Sequence, residues 1–190
     1  INFGGDFLKY KTVKINRLFV VKSIILCLFL LYTLMVIDFT LINDNFGRSV
    51  SSNIFSADRS TVNEYISQKI NLVPFATVRL FINAYKDAHL EPHIVVENIF
   101  GNFFVFMPFA FFLPNIFKRI NSFWKFFAYI SAAVLIIEVL QIVFLTGSAD
   151  IDDFILNVAG ASVAYGVLNI PKIKRAVNKF LFGEFNESKG

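Results

Sequence analysis

The stretch LIIEVLQIVFLTGSADIDDFILNVAGASVAY, residues 135–165, decides the fold. An apolar run ends in a turn at Thr146-Gly147-Ser148, and a second apolar run opens at once on Asp150-Ile151-Asp152-Asp153. The two runs read as helices in a lipid bilayer. Glu138 and Gln141 lie in the outgoing half of the first, and Asn157 and Gly160 lie in the second. Carboxylates and amides are costly at membrane depth, so those placed there have a task. The function question becomes a question about this polar cluster.

The rest of the chain agrees with a membrane setting. Hydrophobic residues make up 56% of it, Phe alone supplies 25 of 190 residues, and charged residues supply only 17%. Such a composition belongs in lipid rather than in a soluble core. One domain is expected at this length. The formal net charge of +4 does not point to nucleic acid. The basic residues flank apolar spans instead of forming a stripe, and they read as topology signals. The single cysteine, Cys27, lies within an apolar run. No disulfide framework is possible, and Cys27 reads as a small inert hydrophobe. The chain opens on Ile1 rather than Met, which leaves the natural start open.

About 20 apolar residues are needed to cross a hydrocarbon core of about 30 Å. Four segments meet that length: 18–37, 94–113, 123–145 and 151–170. The expected fold class is an all-α integral membrane protein, a four-transmembrane-helix bundle with an external, partly helical segment after the first helix. A signal peptide is the rival reading of the first segment, but its run is long and no small-x-small cleavage site follows.

Lys9, Lys11, Lys14 and Arg17 precede the first span, Lys118 and Arg119 separate the second from the third, and Lys172, Lys174, Arg175 and Lys179 follow the fourth. The turn between the third and fourth spans has no Lys or Arg. The positive-inside rule then puts both termini in the cytoplasm, with residues 38–93 and the 146–150 turn outside. The external segment carries Arg48, Arg59, Lys69, Arg79 and Lys86, but long loops weigh less in that rule. The expected organisation is a basic cytoplasmic segment 1–17, a membrane domain 18–170 and a basic cytoplasmic tail 171–190, in a multi-pass protein of the cell membrane.

Within the external segment, 43–57 reads as loop and 60–69 as a short helix with Ser60 as N-cap. Ile70-Asn71-Leu72-Val73-Pro74-Phe75 is apolar and broken by Pro74, which lacks a backbone donor. Residues 77–88 read as an amphipathic interfacial helix with Val78, Phe81, Ile82 and Tyr85 on its apolar face.

This topology gathers Glu97, Asn98 and Asn102 at the outer end of the second span, Glu138 and Gln141 toward that of the third, and Asp150, Asp152, Asp153 and Asn157 at the start of the fourth. Asn98 and Asn102 share a face, as do Glu97 and Gly101. Gly101 is expected to permit close helix approach, and Pro108 to kink the span. Intramembrane amides hold bundles together for about 0.6 kcal/mol each, which accounts for the Asn residues and less well for Glu97.

Glu138 has no Lys or Arg near it in sequence. Its partner must come from elsewhere: Arg79 or Lys86 for a charged carboxylate, Asn102 or Asn157 for a neutral one. A single Asp at a helix start is explained by capping; three in four residues exceed what a cap needs. Asp153, Asn157, Gly160 and Ala164 form one face, expected to pack on the Glu138 face. Grouped hard oxygens suit Ca²⁺ or Mg²⁺, but the spacing matches no calcium loop, and neither metal nor cofactor is assigned. His89 and His93 have zinc-pair spacing, yet Pro92 interrupts them and no HExxH is present, so they read as surface residues. No hydrolase elbow, P-loop or dinucleotide fingerprint occurs.

Three blocks resemble the VanZ-like family. The first is Ile70 to Phe75, similar to the family's Asn-Leu-x-Pro-Phe pattern, here Asn71, Leu72, Pro74 and Phe75. The second is Asn98-Ile-Phe-Gly101-Asn102, continuing through Phe106-Met107-Pro108 to Pro114. The third is Glu138-Val-Leu-Gln141, then Asp150-Ile-Asp152-Asp153, Asn157 and Gly160. They follow family order over 70–165. Ala110 and Ala164 stand where the family has glycine, and Ser148-Ala149 replaces an arginine often found before the acidic block. The resemblance implies a small multi-helix membrane protein. The family's namesake gives low-level resistance to the glycopeptide antibiotic teicoplanin in Gram-positive bacteria.

The function expected is that of a VanZ-like cell-envelope protein affecting glycopeptide susceptibility. Its outer polar pocket is lined by Asn98, Asn102, Glu138, Gln141, Asp150, Asp152, Asp153 and Asn157, with Asn71, Pro74, Phe75, Gly101, Pro108 and Gly160 as structural supports. Expected partners are membrane lipids and a lipid-linked or glycopeptide ligand; the oligomeric state is left open. The alternative is a membrane enzyme on a lipid-linked or cell-wall substrate, with Glu138 and Asp152 or Asp153 as acid–base residues. A small transporter ranks below both, because the inner halves of the spans are almost purely apolar. A purely structural cluster would lose stability and function in parallel.

Overall fold

The structure, a computed structural model, describes residues 3–42, 55–86 and 92–183, with backbone alone over 3–17 and 92–97. The side chains of Lys9, Lys11, Lys14, Arg17, Arg48, His89, His93 and Glu97 lie outside that description. In chain order the elements are α1 (Phe3–Ile37), which runs into a π-helical turn (Asp38–Ile42), α2 (Arg59–Lys69), β1 (Ile70–Asn71), α3 (Ala76–Lys86), α4 (Pro92–Val105), α5 (Phe109–Ile116), α6 (Phe123–Phe144), β2 (Ala149–Asp150), α7 (Ile151–Leu168) and α8 (Pro171–Phe182).

Four stretches are long and apolar enough to cross a membrane: Leu18–Ile42, Asn98–Ile116, Phe123–Phe144 and Ile151–Leu168. Helices are the form such spans must take, because lipid offers nothing to an unpaired backbone group. The second span is two helices rather than one kinked rod. Pro108 has no N–H to return to Phe104; instead the Met107 N–H donates to the Phe104 carbonyl at 3.1 Å, and the chain turns before restarting as α5.

The bundle closes around Phe126, Ile130 and Val134 of α6, Val158, Ala161 and Tyr165 of α7, and Phe106, Phe109 and Ala110. Tyr165 stacks on Phe126 with ring centroids 4.5 Å apart. Phe29 of α1 meets Phe109 and Phe112 edge-on, both at 6.0 Å. Tyr32 donates to the Val105 carbonyl at 2.8 Å. Lipid tails are as apolar as these side chains, so close packing and such hydrogen bonds, rather than escape from water, hold the helices together. Phe19, Leu31, Leu34, Leu135 and Ile136 are exposed, as lipid-facing residues would be.

Two local expectations are corrected. Asp58, not Ser60, precedes the first turn of α2, and the Ser60 and Thr61 hydroxyls donate to its carboxylate. These hydroxyls hold the Asp58 carboxyl below its usual range. In α3 the partly covered side is Thr77, Val78, Phe81 and Ala84, while Ile82 and Tyr85 are exposed. Residues 171–182, within the expected basic tail, are helical as α8, with Ile173, Val177 and Leu181 along one side and Lys172, Arg175 and Lys179 along another.

Candidate functional site

The acidic triplet at the start of α7 divides its work. Asp150 is the N-cap of its own helix, its carboxylate accepting the Asp152 N–H at 2.8 Å. The same carboxylate accepts the Asn71 amide at 3.3 Å and the Thr77 hydroxyl. Asn71 is brought there by a two-residue parallel bridge in which Ile70 pairs with Ala149 and Asn71 with Asp150. The Asn71 side-chain Oδ1 accepts the Val73 N–H at 3.0 Å, bending the chain into Pro74.

Asp152 reaches across to a different helix. One carboxylate oxygen accepts the Phe75 N–H, and the other accepts the Val78 N–H at 3.0 Å. These are backbone donors at the start of α3, which has no carbonyl of its own to receive them. Asp152 therefore acts as an N-cap supplied in trans. It is 1% exposed. Phe75 sits at positive φ (63°), the strained corner that this carboxylate stabilises.

A second group lies beneath α2. Glu138 is half-buried and accepts the Asp150 N–H at 3.3 Å. Gln141 is buried and donates to the Thr40 carbonyl at 3.0 Å, tying α6 to the end of the first span. Tyr65 of α2 reaches in, its hydroxyl 3.2 Å from the Gln141 carbonyl and 3.4 Å from that of Thr146. Burial pushes the Tyr65 phenol above its ordinary value of 10.0, and the Glu138 carboxylate adds to the push. Arg79 and Lys86 lie on the exposed side of α3.

A third group lies between α4 and α7. The Asn102 amide donates to the half-buried Asp153 carboxylate. Asn157 is buried, with its carbonyl oxygen free of hydrogen bonds among the described residues. Asn98 is exposed. The face through Asp153 and Gly160 packs on α4, not on the Glu138 face as expected, because Gly160 lets the Phe103 backbone come close: an added Cβ would lie 1.7 Å from the Phe103 carbonyl oxygen. Gly101 has open space at that position, so the close approach expected of it belongs to Gly160. Among the described residues no three His, Cys, Asp or Glu side chains are grouped to hold a metal ion.

A family model described as VanZ/LLP1 matches residues 29–172. The chain belongs to that family. No curated protein and no solved structure matches the chain significantly. The VanZ/LLP1 match extends past both ends of the 70–165 stretch that carries the resemblance in sequence. It takes in Phe29 and Tyr32 of α1, whose rings pack on α5. The VanZ-like blocks thus form one connected polar end: block one and the acidic triplet join α3 to α7, and block two meets Asp153 through Asn102.

Tyr65, Thr77 and Thr40 complete this end and were not legible as site residues. Each is a single polar residue without a motif, and each gains its role from partners more than 70 positions away.

Proposed function

We propose that this VanZ/LLP1 protein acts at the outer face of a bacterial cell membrane and lowers susceptibility to glycopeptides of the teicoplanin type. Its polar end binds an amide-rich ligand, either the glycopeptide or a lipid-linked cell-wall unit. The observation that carries this reading is the division of the carboxylates. Asp150 and Asp152 are sealed and accept hydrogen bonds from the protein itself. Glu138 and Asp153 stay half-buried at the same end, with Asn102 beside Asp153 and Asn98 exposed. Half-buried carboxylates and amides suit a ligand rich in N–H donors.

The orientation proposed is the one the basic flanks favour, with both termini cytoplasmic. The enzyme reading narrows to Glu138 and Asp153, since Asp152 is enclosed and cannot reach a substrate. The test is teicoplanin susceptibility of cells that express the protein against cells that do not, with lipid extracts assayed for turnover. Reduced susceptibility without turnover supports binding; unchanged susceptibility contradicts the resistance role.

A further inference from the structure

The end opposite the acidic cluster holds a cavity of about 330 Å³, enclosed by α5, the turn after it, the end of α7 and α8. Its polar lining is Lys118, Lys174, Asn115, Asn121, Asn169 and Asn178, and Tyr165 is among its other walls. We propose that this cavity binds the phosphate headgroup of an anionic membrane lipid.

Depth is the first argument. The spans around it end at Ile116, begin at Phe123 and end at Leu168. The cavity therefore opens at the membrane–water boundary, where headgroups lie. Charge is the second. Residues 115–125 and 169–183 carry Lys118, Arg119, Lys125, Lys172, Lys174, Arg175 and Lys179, with no Asp or Glu. Within these two stretches an anion meets only basic side chains, and Lys118 and Lys174 both line the cavity. Organisation is the third. The Lys174 ammonium donates to the Asn169 side-chain Oδ1 at 3.1 Å. That bond positions it and leaves further N–H donors for an anion. The Lys125 ammonium donates to Asn121 at 2.9 Å in the same way.

The wall helix selects a lipid over a soluble phosphate. α8 is amphipathic, and Phe180 on it is 83% exposed. A basic amphipathic helix of this kind lies in the membrane interface, with its apolar side among the acyl chains. A lipid can then place its phosphate between Lys118 and Lys174 while its tails follow α8.

The chain carries its own probe. Trp124 is the only tryptophan. It contacts Phe123 at 5.3 Å, and Phe123 contacts the cavity wall at Tyr165 at 6.0 Å. The full chain is placed in phosphatidylcholine vesicles containing equal mole fractions of brominated phosphatidylglycerol or brominated phosphatidylcholine, and Trp124 quenching is compared.

Preferential quenching by phosphatidylglycerol is expected. Each lining lysine removed should lower the preference roughly fivefold, so Lys118→Gln with Lys174→Gln should abolish it. Lys118→Arg with Lys174→Arg should keep it, which separates charge from folding. Arg175→Gln with Lys179→Gln removes the same charge outside the cavity and should lower the preference clearly less than the lining pair does. Equal quenching by the two lipids overturns the proposal, as does equal loss in the two glutamine pairs. A preference abolished by millimolar inorganic phosphate would assign the cavity to a soluble anion and overturn the lipid assignment.

Discussion

The carboxylate of Asp152, in the first turn of α7, accepts the backbone N–H of Val78, in the first turn of α3, at 3.0 Å. Two residues 74 positions apart join the starts of two helices through one carboxylate. That contact, with Asn71 on Asp150, fastens the segment between the first and second spans to the bundle.

Removing the shared cap should loosen α3 without dispersing the bundle. Asp152→Ala leaves the Phe75 and Val78 donors without their partner, at a cost of roughly 1–3 kcal/mol. Hydrogen exchange should accelerate at Phe75 and Val78 while the α6 core amides keep their protection. Unchanged exchange at those two amides would show that α3 does not depend on Asp152.

Gly160 and Gly101 should differ sharply. Alanine at 160 places a Cβ 1.7 Å from the Phe103 carbonyl oxygen, so α4 and α7 must part. Gly160→Ala should cost at least about 1–3 kcal/mol, the usual range for overpacking. Gly101→Ala, with nothing within 4 Å, should be close to neutral. Unfolding in mixed micelles measures both; equal effects would contradict the α4–α7 contact.

Tyr65 gives a pH signature. Its phenol is raised above 10.0 by burial and then by Glu138, so the folded state holds this proton more tightly than the unfolded one. The associated stability is complete below pH 10.0 and is lost as pH climbs through the higher folded value. Tyrosinate absorbance should show a late-titrating component that shrinks by one tyrosine in Tyr65→Phe, and the variant should lose less stability between neutral and alkaline pH. A Tyr65 that titrates with exposed tyrosines would contradict its docking over Gln141.

The spans were legible because length and hydropathy are local properties: 123–145 and 151–170 were expected, and Phe123–Phe144 and Ile151–Leu168 are found. The labour of the acidic triplet was not legible. Asp150, Asp152 and Asp153 are chemically alike in sequence, and only the parallel pairing of Ile70-Asn71 with Ala149-Asp150 gives them different neighbours. Gly101 and Gly160 were equally ambiguous, since spacing marks a helix face without saying what packs on it. α8 was readable in principle. Ile173, Val177 and Leu181 repeat every four residues, although the lysines around them are the more conspicuous feature of the sequence.

The central claim is that Asp152 serves the fold while Glu138 and Asp153 serve a ligand. The most direct test pairs thermal stability with teicoplanin susceptibility for Asp152→Ala, Asp153→Asn and Glu138→Gln, at matched membrane levels. The account predicts that Asp152→Ala loses stability and protection together, whereas Asp153→Asn and Glu138→Gln keep wild-type stability and lose protection. Protection that falls only in proportion to stability in all three would contradict it and leave the polar end a purely structural clasp.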